Sequence, residues 1–188
     1  MSPGGLPSAG ADGVRVERWI ALAGFMGAGK TSVGRRVATR LRLPFVDADH
    51  RIEEQAGMPI PEIFDRRGEL WFRRAEEAVL RDIVSGRPAG VLALGGGALE
   101  SARTRDLLAR RAWIVWLRVS VDVAWRRVEG SDRPLARDLA RFARRAEARE
   151  ATYREAADLM VDADEPVDDV ATRVVAWVTA RRRQGVAG

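Results

Sequence analysis

The chain has 188 residues, 46% hydrophobic and 31% charged, with a net charge of +5 and a pI near 10.9. That length suits one well-buried core and is short for two, and no uninterrupted apolar run approaches the ~20 residues of a membrane helix. The chain contains no cysteine, which excludes a disulfide framework and a thiolate metal site and fits a reducing, cytoplasmic setting.

The basic balance raises two kinds of partner, a nucleic acid or an anionic small molecule. The arginines are mixed with acids, as in DRRGELWFRRAEEAVLRD (65–82), and the dense clusters RRAEAR (144–149) and RRR (181–183) lack interleaved aromatics. A nucleic-acid surface therefore explains them poorly. Among the 32 Lys and Arg positions only Lys30 is a lysine.

In chain order, MSPGGLPSAGADG lacks the basic start and apolar core of a secretory signal, and residues 1–14 read as a flexible tail. Trp19 to Ala23 is a short apolar run stopping at glycine, which predicts a buried strand feeding a turn. Val33, Val37, Ala38 and Leu41 then recur at helical spacing, and PFVDAD (44–49) is strand-like. Phe72, Ala75, Val79 and Ile83 form one face of a helix, with Arg73, Glu76 and Glu77 assigned to its other faces.

GVLALGGG, WIVWLRV and ADLMVDA supply three further strands. Ser101 is a candidate N-cap, and Ser120 and Asp122 open a helix through Arg127. Val167, Val170, Ala171, Val174 and Val178 make a closing amphipathic helix. Strands alternating with helices predict a parallel sheet covered on both faces.

Gly24 to Thr31, GFMGAGKT, satisfies G-x-x-x-x-G-K-[ST] directly after a strand and at the opening of a helix. Glycines let several backbone amides turn toward a phosphate chain, and the helix N-terminus adds partial positive charge. Lys30 would reach the outer phosphates and the Thr31 hydroxyl would ligate magnesium.

Two readings suit each remaining feature. Asp47 and Asp49, two apart at a strand end, point to one side if the chain stays extended and suit a cation and a hydroxyl nucleophile; alternatively Asp49 caps a helix beginning near Arg51 and Asp47 serves a turn. Gly95-Gly96-Gly97 admits either close approach to a ligand or a sharp turn. Arg73, Arg133 and Arg149 offer forked donors for carboxylate or phosphate, yet Arg73 and Glu77 could form only a surface pair. His50, the sole histidine, reads as exposed.

Taken together, GFMGAGKTSVGRRVA, FVDADHRIEEQAG, IPEIFDRRGELWFRRAE, LALGGGAL, RPL and REATYREAA, in this order, closely resemble the shikimate kinase family over Trp19 to Trp177. The resemblance implies a three-layer α/β/α P-loop fold like that of nucleoside monophosphate kinases, with a five-stranded parallel sheet and a lid at about 130–142. The kinase domain would span 15–180 and a flexible tail 181–188. The implied reaction transfers the γ-phosphoryl group of ATP to the 3-hydroxyl of shikimate, on the route to chorismate and the aromatic amino acids.

On the family pattern, Gly27, Ala28, Gly29, Lys30, Thr31 and Ser32 would bind ATP, with Arg127 near the adenine and Arg133 on the lid. Asp49, Arg73, Arg149 and the glycines Gly95, Gly96 and Gly97 would hold shikimate, Arg73 and Arg149 gripping its carboxylate. Lys30, Asp49 and Arg133 would be catalytic. Mg2+ would sit on Thr31, supported by Asp47. The protein would act as a monomer on small molecules, without nucleic-acid or membrane partners. RPLA (133–136) departs from the family's usual RPLL, and Glu165 stands where some members have a basic residue. The rival of the same fold is a kinase of gluconate or a nucleoside monophosphate.

Overall fold

The computed structural model describes residues 18–86, 88–130 and 138–186. The elements are β1 (Trp19–Ala23), α1 (Lys30–Leu41), β2 (Phe45–Asp47), α2 (Ala48–Ala56), α3 (Ile60–Ser85), β3 (Val91–Ala93), a 3-10 turn (Ala98–Glu100), α4 (Ala102–Arg111), β4 (Ala112–Arg118), α5 (Val121–Val128), α6 (Leu139–Ala156), β5 (Leu159–Asp162) and α7 (Val167–Val186).

Five strands make one parallel sheet in the order β2-β3-β1-β4-β5. β1 is central, with Leu22 in register with Ala93 on one side and Val115 on the other. The winding changes direction beside β1, so the loop leaving β1 opens at the carboxyl edge where such sheets bind ligands.

All of WIALA is buried because both faces of β1 are covered. Trp19, Ala21 and Ala23 face a core with Leu80, Leu92, Leu108, Ile114 and Phe142. Ile20 and Leu22 face the other, with Val33, Val37, Val115, Val170 and Val174. Thus α1 and α7 cover one side of the sheet and α3 to α6 the other, giving the expected α/β/α layers. Arg40 joins α1 to α7 through Asp168 at 2.6 Å.

α2 and α3 form a smaller cluster around Ile52, Ile63, Phe72 and Val79. α3 breaks at Gly68, φ 78° and ψ 168°, where a side chain would meet nothing within 4 Å. The glycine is required there by conformation and not by space.

The five expected strands all form, although β2 ends at Asp47 and the helix begins at once. The N-terminal tail 1–14 and residues 131–137 of the expected lid lie outside the described residues. α6 begins at Leu139, within the expected lid, and Phe142 is buried against the rings of Phe25 and Trp125 at 4.8 and 5.3 Å. α7 runs to Val186, past residue 181.

Candidate active site

The loop after β1 is shaped by its glycines. Gly27 (φ 82°) lies so close to α5 that an added Cβ would sit 2.6 Å from the Ala124 carbonyl oxygen, and Gly29 (φ 80°) forms the N-cap of α1. No side chain caps this terminus and no acid stands in its first turn, so the amides that any helix N-terminus directs outward face the loop. The Lys30 ammonium donates to Gly24 O at 2.9 Å and Phe25 O at 3.2 Å. A cavity of about 440 Å³ opens here, lined by Gly27, Gly29, Lys30, Thr31, Ser32, Arg127 and Val128. Ala28 is buried beneath it. Arg127 donates to Gly27 O at 3.1 Å and Ala163 O at 2.9 Å, fastening α5 to the loop.

Asp47, and not Asp49, caps α2, which begins at Ala48 rather than near Arg51. Its Oδ1 accepts from Asp49 N at 3.1 Å and His50 N at 3.5 Å, while Oδ2 accepts from the Thr31 hydroxyl at 2.7 Å. Asp49 is therefore in the first turn of a helix, and the extended projection of the two acids does not occur. A hydroxyl and a carboxylate in contact are hard oxygen donors, and magnesium is commonly held by one or two such groups plus phosphate and water. The pair fits that ion. Among the described residues no group of three or more His, Cys, Asp or Glu could hold a metal. His50 is exposed and near Glu54 at 3.2 Å.

The second half of the site is assembled from side chains. Arg73 Nη1 donates to Glu76 Oε2 at 2.8 Å, and its Nη2 lies 3.4 Å from Glu69 and 3.6 Å from Glu100. Glu77 does not pair with Arg73; it accepts from Ser101 Oγ at 2.6 Å. Arg149, buried on α6, donates through Nε to Glu100 Oε1 at 2.6 Å, and its guanidinium lies 5.7 Å from the centre of the Phe25 ring. Arg73 and Arg149 thus meet at one carboxylate.

The three glycines after β3 have separate uses. None has a positive φ. A Cβ on Gly97 would lie 2.7 Å from both terminal nitrogens of Arg73, and one on Gly95 would collide with Glu76 Oε1 and Asp49 Oδ1. At Gly96 only an ordinary contact with Arg149 would result, and its carbonyl accepts from the Tyr153 hydroxyl at 2.5 Å. Close approach, rather than turn geometry, explains Gly95 and Gly97.

Burial pushes the Glu76 carboxyl above the ordinary carboxylate range; the bond and charge of Arg73 oppose this, and Asp49 and Glu100 reinforce it. Burial also disfavours the charge of Arg73, but Glu76, Glu100 and Glu69 outweigh it and hold that pKa above its ordinary value. The pair is unequal: Arg73 is surrounded by carboxylates, whereas buried Glu76 has one cation and two repelling acids. For Glu100, burial would raise the pKa, but the bond and charge of Arg149, with Arg73 and Arg145, hold it low. Burial pushes Tyr153 up to about 12, which keeps its hydroxyl a donor at neutral pH.

The structure therefore brings together Asp49, Arg73, Gly95, Gly96, Gly97 and Arg149 at one place, and Gly27 to Ser32 with Arg127 at the other, Thr31 and Asp47 joining them. Arg133 lies outside the described residues. Sequence reasoning assigned Glu76 to an outer helix face, yet it is only 3% exposed. The available signal was its spacing: position 76 is four after Phe72 and three before Val79, on the apolar face. Glu76 Oε1 is buried with no hydrogen-bond partner among the described residues. Glu69, Glu100 and Tyr153 were also missed, and Tyr153 follows Arg149 by one helical turn.

Residues 26–179 match the model of the shikimate kinase family. A shikimate kinase of Nitrobacter winogradskyi is 43% identical over 172 residues, 89% of this chain and 80% of that protein. A structure of the Acinetobacter baumannii shikimate kinase in complex with shikimate superposes with a TM-score of 0.84 at 34% identity, covering 89% of this chain and 96% of the other. A gluconokinase from Sinorhizobium meliloti, at 18% identity and a TM-score of 0.58 over 90% of this chain and 96% of its own, shares the fold alone. With a phosphate loop, two converging arginines and a family match over most of its length, this chain belongs to the shikimate kinase family.

Proposed function

We propose that this chain transfers the γ-phosphoryl group of ATP to the 3-hydroxyl of shikimate, giving shikimate 3-phosphate and ADP, a step of chorismate and aromatic amino-acid biosynthesis. Family membership supports the reaction. The observation that carries the acceptor is the convergence of Arg73 and Arg149 beside Gly95–Gly97 and Asp49, at the same sheet edge as the phosphate loop. Two guanidiniums suit a carboxylate, and a nearby acid suits hydroxyls.

Phosphoryl transfer needs alignment and charge stabilisation more than covalent help from the protein. Gly27 to Ser32 would cradle the ATP phosphates, and Lys30 would exchange its bonds to Gly24 and Phe25 for bonds to the outer phosphates. Arg127 would stand toward the adenine. Arg73 and Arg149 would grip the shikimate carboxylate, Gly96 would offer backbone, and Asp49 would bind ring hydroxyls and take the proton of the reacting one. Magnesium, when bound, would neutralise charge on the phosphates, held by Thr31 with Asp47 supporting it through water. Arg133 would add charge from a lid that excludes water, since water reaching the γ-phosphate would hydrolyse it.

The reading carries with it a cytoplasmic monomer whose partners are small molecules rather than nucleic acid or membrane. No helix among the described residues is long and apolar enough to cross a membrane. The test is ADP formation with shikimate, gluconate and a nucleoside monophosphate supplied separately. Shikimate alone should support turnover; release of ADP with either rival and none with shikimate would overturn the assignment.

A further inference from the structure

Between the two arginines assigned to the substrate's carboxylate stands a carboxylate of the chain itself. Glu100 Oε1 lies 2.6 Å from Arg149 Nε and Oε2 lies 3.6 Å from Arg73 Nη2. The side chains of Arg149 and Arg73 are 9% and 26% exposed, that of Glu100 41%. The cations are held within the protein while the anion sits on the solvent side.

The other carboxylates at Arg73, those of Glu69 and Glu76, belong to its own helix α3. Glu100 comes from the 3-10 turn, where its backbone is pinned by Glu100 N to Gly97 O at 3.0 Å and by Arg105 Nη1 to Glu100 O at 3.1 Å. Only its side chain can turn. Beside it lies a cavity of about 320 Å³ that it lines with Arg141, Arg144, Arg145, Ala148 and Arg149. That cationic space can receive a carboxylate leaving Arg149.

We propose that Glu100 occupies, between Arg149 and Arg73, the position of the acceptor's carboxylate and competes with it, turning toward Arg141, Arg144 and Arg145 when the acceptor binds. The inference rests on the reading that Arg73 and Arg149 hold shikimate. Binding is then an exchange of one carboxylate for another on the same charged donors. Charge-assisted bonds are broken as others form, so Glu100 lowers affinity for every acceptor. An uncharged acceptor cannot complete the exchange, so the same residue selects for a carboxylate.

Glu100→Gln removes the charge but keeps a carbonyl that can accept from Arg149, and Glu100→Ala removes both. Calorimetric titration of the full chain and both variants should show shikimate bound about fivefold tighter in each, the scale of a partly exposed ion pair. Fivefold equals about 1 kcal/mol at 1.4 kcal/mol per tenfold. In steady-state kinetics the change should fall on KM for shikimate rather than on kcat, and the affinity for shikimate methyl ester, which Glu100 opposes as well, should rise at least as much. Weaker shikimate binding in Glu100→Ala that Glu100→Gln restores would make Glu100 a positioning residue for Arg149 and overturn competition. Unchanged shikimate affinity in both variants would overturn it as well. A wild-type chain that binds no shikimate overturns this inference and the acceptor reading together, whereas wild-type binding with either variant result above overturns the inference alone.

Discussion

The loop between β1 and α1 and the pocket around Arg73 open at the same edge of the sheet, but different materials build them. The loop is backbone: glycines at φ 82° and 80°, a helix terminus without a side-chain cap, and a lysine bonded to carbonyls. The pocket is side chain: two guanidiniums and several carboxylates delivered by α3, α6 and the turn after β3. They touch at Phe25, a loop residue whose ring packs on Phe142 and lies under the Arg149 guanidinium. A backbone site is fixed by local conformation, while a side-chain site is only as well placed as the elements that carry it.

Substitutions should separate the two. The largest effect belongs to the loop: Lys30→Ala should lower kcat by at least ~10²-fold, the scale of losing one preorganised charge donor, while shikimate affinity measured by calorimetry holds. Lys30→Arg should recover little of that rate, because a broad guanidinium does not replace a compact ammonium between phosphates. Near-normal turnover in Lys30→Ala would break the comparison at once.

The next contrast sets glycine against glycine. Gly27→Ala forces a side chain onto a backbone at φ 82° and against the Ala124 carbonyl, so it should destabilise the fold by about 1–3 kcal/mol and impair ATP binding. Gly97→Ala meets only the far end of the Arg73 side chain and no backbone. The fold should survive and KM for shikimate rise roughly tenfold, less than the ~10²-fold of an ångström misplacement. Urea unfolding and initial rates read both outcomes; loss of ATP binding in Gly97→Ala would reverse the assignment of the two regions.

The smallest effect lies inside the pocket. The pKa of Glu76 is raised from 4.5 by burial, so the folded state binds its proton more tightly than the unfolded chain. Its contribution to stability is full below about pH 4.5 and is lost as pH rises through the elevated value. Relative to Glu76→Gln, the wild-type chain should therefore lose stability over that window, by at most about 1.4 kcal/mol per pH unit. Glu100, whose pKa is lowered, has the opposite sign: its contribution is present above the unfolded value and lost as pH falls through the folded one. Urea unfolding across pH checks both slopes, and a wild-type advantage over Glu76→Gln that grows with pH would contradict the burial of Glu76.

The same difference in materials explains what could be read from the sequence. The loop, the strands and the closing helix are written in contiguous residues, since a buried parallel strand is an apolar run and a phosphate loop is a local motif. Arg73, Arg149, Asp49 and the glycines entered as candidates by residue type and position, and family resemblance gave them their roles. The acids that hold them did not enter as candidates. Nothing local in AEEAV distinguishes Glu76 from Glu77, and only the helical register turns one inward and the other toward Ser101. Glu100 reaches Arg149 across 49 residues, a distance that no spacing rule spans. Neither reading of Asp47 and Asp49 anticipated that β2 ends at Asp47 itself, which makes Asp47 the cap of α2.

The most direct test of the separation between loop and pocket is calorimetric titration of Arg73→Ala with ATP and with shikimate in separate experiments. Shikimate affinity should fall roughly 10- to 100-fold, the loss of a charged hydrogen-bonding partner, with ATP affinity little changed. Collapse of ATP binding with shikimate binding intact would contradict the placement of both ligands.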